Sequence, residues 1–140
     1  MADQRGAFPR RDDAGRIAHL PDLVGIGLAG AVLGLLALAL FDLVVAAFGS
    51  ARFGGANGWI AAVLPAWMFL DDFRTWEYGA ARVVAALAGA LAAIPAGLLV
   101  ASVVSGLPPL FSGGLAAVTF TVVYAVVWFV GVRWLSHRTG

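Results

Sequence analysis

The sequence predicts an all-α, polytopic integral membrane protein. Four transmembrane helices are expected, arranged as two helical hairpins, with both termini cytoplasmic. Three observations predict this. First, 61% of the 140 residues are apolar or aromatic and only 12% are charged, against about 25% charged in an average soluble domain. Second, the apolar residues lie in long runs separated by short polar or glycine- and proline-rich breaks. Third, the arginines fall almost entirely on one side of the threading those runs imply. A mean hydropathy of +0.92 agrees with a chain whose solvent is largely lipid.

The elements follow in order. Residues 1–21 are polar, with Arg5, Arg10, Arg11 and Arg16 alternating with Asp3, Asp12 and Asp13. Pro9 and Gly15 interrupt any long helix. A mobile cytoplasmic tail is expected here, with one interfacial turn at Arg16 to Leu20. Such a segment is too short for a globular head, since domains below about 40 residues usually need staples. A soluble catalytic or ligand-binding domain is therefore not expected.

The first span is expected over about 22–48. Pro21 and Asp22 make a good helix start, because the N-terminal turn favours an anion. Leu23 to Phe41 are 19 uncharged residues, longer than a signal-peptide core of roughly 7–15. Gly49 to Gly58 then reads as a turn. The second span, about 56–71, is short and contains Pro65. Its apolar run, from about Asn57 to Leu70, is 14 residues and reaches only about 21 Å, less than the roughly 30 Å hydrocarbon core.

Asp71 to Tyr78 mixes charges with aromatics and reads as interfacial. Adjacent Asp71 and Asp72 could hold magnesium with phosphates present. No third acid follows, because residue 75 is Thr, so a solvated cap with Arg74 is the expectation. Between Arg82 and Arg133 lie 50 uncharged residues, enough for two spans. Leu107 to Gly114, with two prolines and two glycines, supplies the break. The third span is thus expected over about 80–105, kinked at Pro95, and the fourth over about 114–135. Residues 137–140 form a short C-terminal tail.

Tail, middle loop and C-terminus hold eight arginines, and the two opposite loops hold only Arg52. Short loops rich in arginine stay inside. A multi-pass protein of the cytoplasmic membrane is expected. Trp76, Tyr78 and Trp134 form its inner aromatic belt, and Trp59 and Phe111 lie near the outer one. All nine basic residues are arginine, and with 18 glycines this composition suggests a GC-rich, prokaryotic genome.

Small residues mark the expected helix contacts. Gly27, Gly30 and Gly34 line one side of the first span, and Ala85, Gly89, Ala93 and Gly97 form a stripe on the third. In lipid, such residues let backbones approach closely. Leu28-Ala29-Gly30-Ala31 recurs as Leu87-Ala88-Gly89-Ala90, a faint sign of two related hairpins.

Asp42 is the one acid inside an apolar run and the candidate ion or proton site. Otherwise it ends the span, reaches the outer interface, or pairs with Arg52. Thr121, Tyr124 and Trp128 continue a stripe from Ala117 and form a candidate polar track, with helix packing as the blander reading. His19 and His137 fall outside the apolar runs. With no cysteine, disulfides and thiolate sites are excluded. No cofactor, metal or nucleic acid is called for. The function expected is a non-enzymatic accessory or structural subunit. Its partners would be the lipid bilayer and either further copies of itself or another membrane protein. The alternative is a small oligomeric transporter or channel using Asp42.

Overall fold

A computed structural model describes residues 10–49, 52–76 and 79–139. Arg5, Asp3 and Tyr78 lie outside the described residues. The described chain is helical, with four α-helices and a 3-10 turn. Three of the helices are long and apolar enough to cross a membrane.

Helix α1, Leu20–Ala47, begins with Pro21 and Asp22 in its first turn, as its sequence favours. The second apolar run is not one uniform helix. A 3-10 turn, Gly58–Ala62, opens on the Asn57 side chain, which accepts from the Trp59 N–H, and leads into the 12-residue α2, Val63–Arg74. Pro65 sits in the first turn of α2, where its missing N–H costs nothing. Helix α3, Ala80–Val103, carries Pro95 in its interior.

Helix α4, Pro109–Thr139, starts five residues before the expected fourth span. The break is confined to the few residues before it. Pro109 takes the first helical position, which suits a proline. Gly113 and Gly114 lie inside the helix and do not end it. Their role is steric: a Cβ on Gly113 would stand 2.7 Å from the Gly58 and Trp59 backbone nitrogens, and one on Gly114 would stand 2.8 Å from Leu35.

Helix α4 packs on both α3 and α1 and on the 3-10 turn, while α2 packs on α1. Successive helices run antiparallel. Gly97 faces Ala116 and Gly89 faces Tyr124, while Gly34 faces Ala61 and Gly27 faces Phe69. The glycines at these positions have little room for a side chain. A Cβ on Gly89 would meet the Tyr124 ring at 2.9 Å, and one on Gly97 would collide with Trp59.

On α3, inside and outside are inverted relative to a water-soluble bundle. The buried residues of α3 are Ala85, Gly89, Ala93 and Gly97, one per turn. Leu87, Leu91 and Leu98 are exposed, Leu91 at 75%. Close backbone packing holds such helices together while large side chains face an apolar solvent.

Residues 10–19 are not the free tail expected from their polarity. Arg11 and Ile17 pair across a short hairpin, and Gly15 turns it at φ +83°. Ile17 is buried in the main core cluster with Leu23, Phe69, Trp76, Trp128 and Val132. The core therefore sits at the end of the bundle that the hairpin covers.

Candidate functional site

The polar interior of this end is built around Asp72. It lies in the last turn of α2 and is 1% exposed. Its Oδ1 accepts from the Ile17 N–H at 3.1 Å, and its Oδ2 accepts from Trp128 Nε1 at 2.8 Å. A buried carboxylate is tolerated where donors replace its water. The expected solvated pair is thus split: Asp71 is exposed, 3.9 Å from Arg74, and its neighbour points inward. One helical step, about 100°, separates the two environments.

Ile17 is held from its other side as well. Its carbonyl accepts from the Arg133 guanidinium at 2.6 Å. The Arg133 guanidinium also lies 3.6 Å over the Phe129 ring and 5.1 Å from the Trp76 ring centroid. Arg16 covers Trp76 at 3.9 Å. Arg82 donates to the Phe73 and Trp76 carbonyls at 3.3 Å, one in the last turn of α2 and one just beyond it. Arg10 grips Asp22 through its backbone N–H at 2.8 Å and through Nε at 2.9 Å. The hydrogen bond to Asp22 holds the Arg10 guanidinium above its ordinary pKa. Trp76, expected in an interfacial belt, is buried at 8%, whereas Trp134 is exposed.

The stripe of Thr121, Tyr124 and Trp128 lies within side-chain packing. Thr121 Oγ1 donates to the Ala117 carbonyl at 2.7 Å. Phe120, Tyr124 and Trp128 stack at four-residue spacing, with centroids 5.9 and 6.5 Å apart. Phe69 stacks on Tyr124 at 4.6 Å, and Trp59 meets Phe120 edge-on. The ladder joins α4 to α2 and to the 3-10 turn.

Asp42 lies toward the opposite end. It is 7% exposed, and its Oδ2 accepts from both Gly54 N–H and Ala56 N–H at 3.0 Å. Gly54 adopts φ +95°, a conformation suited to glycine, and its carbonyl accepts from Leu110 N–H. Arg52 is exposed, and the ion pairs among the described residues are Arg10–Asp22 and Arg74–Asp71. Asp42 is not brought to the Tyr124 stripe. Gly27 faces Thr121, and Asp42 lies further along α1 by about 22 Å at 1.5 Å per residue.

Three cavities accompany these features. An apolar groove of about 660 Å³ runs between α1 and α4 past Leu35, Ala39, Phe111 and Leu115. A gap of about 300 Å³ lies beside Phe69, Phe73 and Tyr124. The third, of about 420 Å³, is lined by Asp12, Arg16, Trp76, Arg133, Ser136 and His137. The sequence carried a faint signal for the Asp72 node. A buried Trp N–H needs an acceptor, and Asp72 is one of few acids near the expected end of its run. Comparison of the chain with family models, with curated proteins and with solved structures finds no match.

Proposed function

We propose that the protein is a non-enzymatic, four-span membrane protein that works through packing. It serves as an accessory or structural subunit that associates with itself or with another protein of the cytoplasmic membrane. One observation carries this reading. The buried carboxylates Asp22, Asp42 and Asp72 each accept bonds from the chain's own donors and join separate segments. The acids that a transport or catalytic reading would recruit are engaged in holding the bundle together. The exposed apolar faces of α1 and α3 suit lipid and neighbouring helices.

The 3-10 turn and α2 supply the second of the four spans. Together they follow α1 from the level of Gly34 to that of Ile17. With about 2.0 Å per residue in the 3-10 part and 1.5 Å in the α part, they cover about 28 Å, close to the bilayer core. The arginines gathered around Trp76 and Asp22 favour a cytoplasmic position for both termini. A reporter active only outside the cytoplasm should be silent when fused at residue 140 and active when inserted near residue 106. The reverse pattern overturns this topology.

Light scattering on protein extracted from its native membrane in mild detergent tests the association. A protein mass larger than one chain is expected. A single chain in every mild detergent overturns the association, and ion flux in liposomes that disappears in Asp42→Asn would favour the transporter reading instead.

A further inference from the structure

Three separate segments close around the 420 Å³ cavity at the arginine end. The N-terminal hairpin contributes Asp12 and Arg16, the stretch just after α2 contributes Trp76, and α4 contributes Arg133, Ser136 and His137. The last three are spaced i, i+3 and i+4, so one helix face presents them together. Two guanidinium groups therefore share a cavity with one carboxylate. Asp12 Oδ1 is already engaged by the N–H groups of Ala14 and Arg16. Among the described residues neither Arg16 nor Arg133 is in an ion pair.

Two like charges are costly side by side unless something compensates them. The Trp76 ring does so in part, because both guanidinium groups lie against it, and the Asp72 and Asp12 carboxylates offset part of the Arg133 charge. Donors at this wall still lack acceptors. Arg16 Nε and Trp76 Nε1 are buried with no hydrogen-bond partner among the described residues. Such groups are rare in folded proteins, and a ligand carrying acceptor oxygens suits the wall they lie behind.

Geometry and depth both specify that acceptor. A guanidinium presents paired N–H groups that match phosphoryl oxygens. The neighbouring Trp134 is exposed, with Arg138 over its ring at 4.7 Å, an arrangement suited to the headgroup layer. Basic pockets at the cytoplasmic ends of spans take anionic headgroups.

We propose that this cavity binds a phosphoryl anion, carried by an anionic lipid headgroup or free as phosphate. Arg16 and Arg133 supply the charge, Ser136 supplies a further hydrogen bond, and Trp76 holds the two guanidinium groups in place. The lipid source rests on the membrane placement proposed above, and the free-phosphate source does not.

The test uses the full chain in zwitterionic detergent. Thermal protection is measured with phosphatidylglycerol against phosphatidylcholine, and separately with inorganic phosphate against chloride at equal ionic strength. Protection by phosphatidylglycerol alone identifies a lipid headgroup. Protection by inorganic phosphate as well identifies a general phosphoryl site. Arg16→Gln should weaken the protecting ligand about tenfold, as loss of a charge-assisted pair implies. Ser136→Ala should weaken it less. Arg74→Gln removes the same charge from the same end outside the cavity and should leave affinity within about twofold. Arg133 also holds Ile17, so the test does not depend on its variant. No protection in either arm, or equal weakening by Arg16→Gln and Arg74→Gln, overturns the proposal. The association state is measured independently, so failure here is distinct from failure of the subunit reading.

Discussion

Trp128 Nε1 donates to Asp72 Oδ2 at 2.8 Å, across 56 positions of sequence. The same carboxylate accepts from Ile17 N–H, so one buried group joins α4, α2 and the N-terminal hairpin. Replacing Asp72 by Leu leaves two buried donors without an acceptor, each costing about 1–3 kcal/mol. Asp72→Leu should therefore lower the melting temperature strongly, and Asp72→Asn, which keeps one acceptor oxygen, less so. Combined with Trp128→Phe, the loss should be less than additive, because both changes remove one shared bond. Strict additivity in detergent melting curves would show that the bond carries no coupling.

Asp42 should behave as a loop anchor. Asp42→Leu frees the N–H groups of Gly54 and Ala56, at about 1–3 kcal/mol for each group left buried. Hydrogen exchange at these two amides should accelerate while that of α3 stays unchanged. Asp42→Asn keeps an oxygen for both amides and should be milder. Proton uptake in liposomes should be the same for wild type and Asp42→Asn. Uptake that depends on the carboxylate would contradict the anchor role.

Gly30 and Gly34 should differ although both lie on one stripe of α1. A Cβ on Gly30 would stand 3.2 Å from the mobile tip of Met68, whereas one on Gly34 would stand 3.0 Å from the Ala61 Cα. A methionine end can swing aside, but backbone cannot. Alanine also favours a helix by roughly 1 kcal/mol over glycine. Gly30→Ala should thus be neutral or stabilising, and Gly34→Ala destabilising. The opposite order in melting temperature would refute this account of the contact.

The grip of Arg10 on Asp22 should hold the hairpin down. Asp22→Asn removes the charge that both the guanidinium and the Arg10 N–H engage. Trypsin should then cut after Arg11 and Arg16 faster than in wild type, with cleavage after the exposed Arg74 unchanged. Raising the salt concentration should move wild type toward the variant, since the pair is partly exposed and screened. Equal cleavage rates at low salt would show that the hairpin is held without this pair.

Hydropathy alone was enough to locate the three long helices, though not their exact ends, because moving a run of about 20 residues into lipid is a property of that run by itself. The starts of α1 at Pro21-Asp22 and of α3 near Ala80 were legible for that reason. The buried small residues of α3 lie at helical spacing, which is a local pattern. Long-range relationships were not legible. The position of Asp72 beside an exposed Asp71, the docking of Ile17 under Arg133, and the capture of Gly54 by Asp42 depend on residues 55, 116 and 12 positions apart. A sequence pattern states which side chains are polar, but whether one becomes buried depends on donors that only folding brings within 3 Å. The same holds for α4, where Gly113 and Gly114 read as a break and are instead the surface on which the 3-10 turn and Leu35 rest.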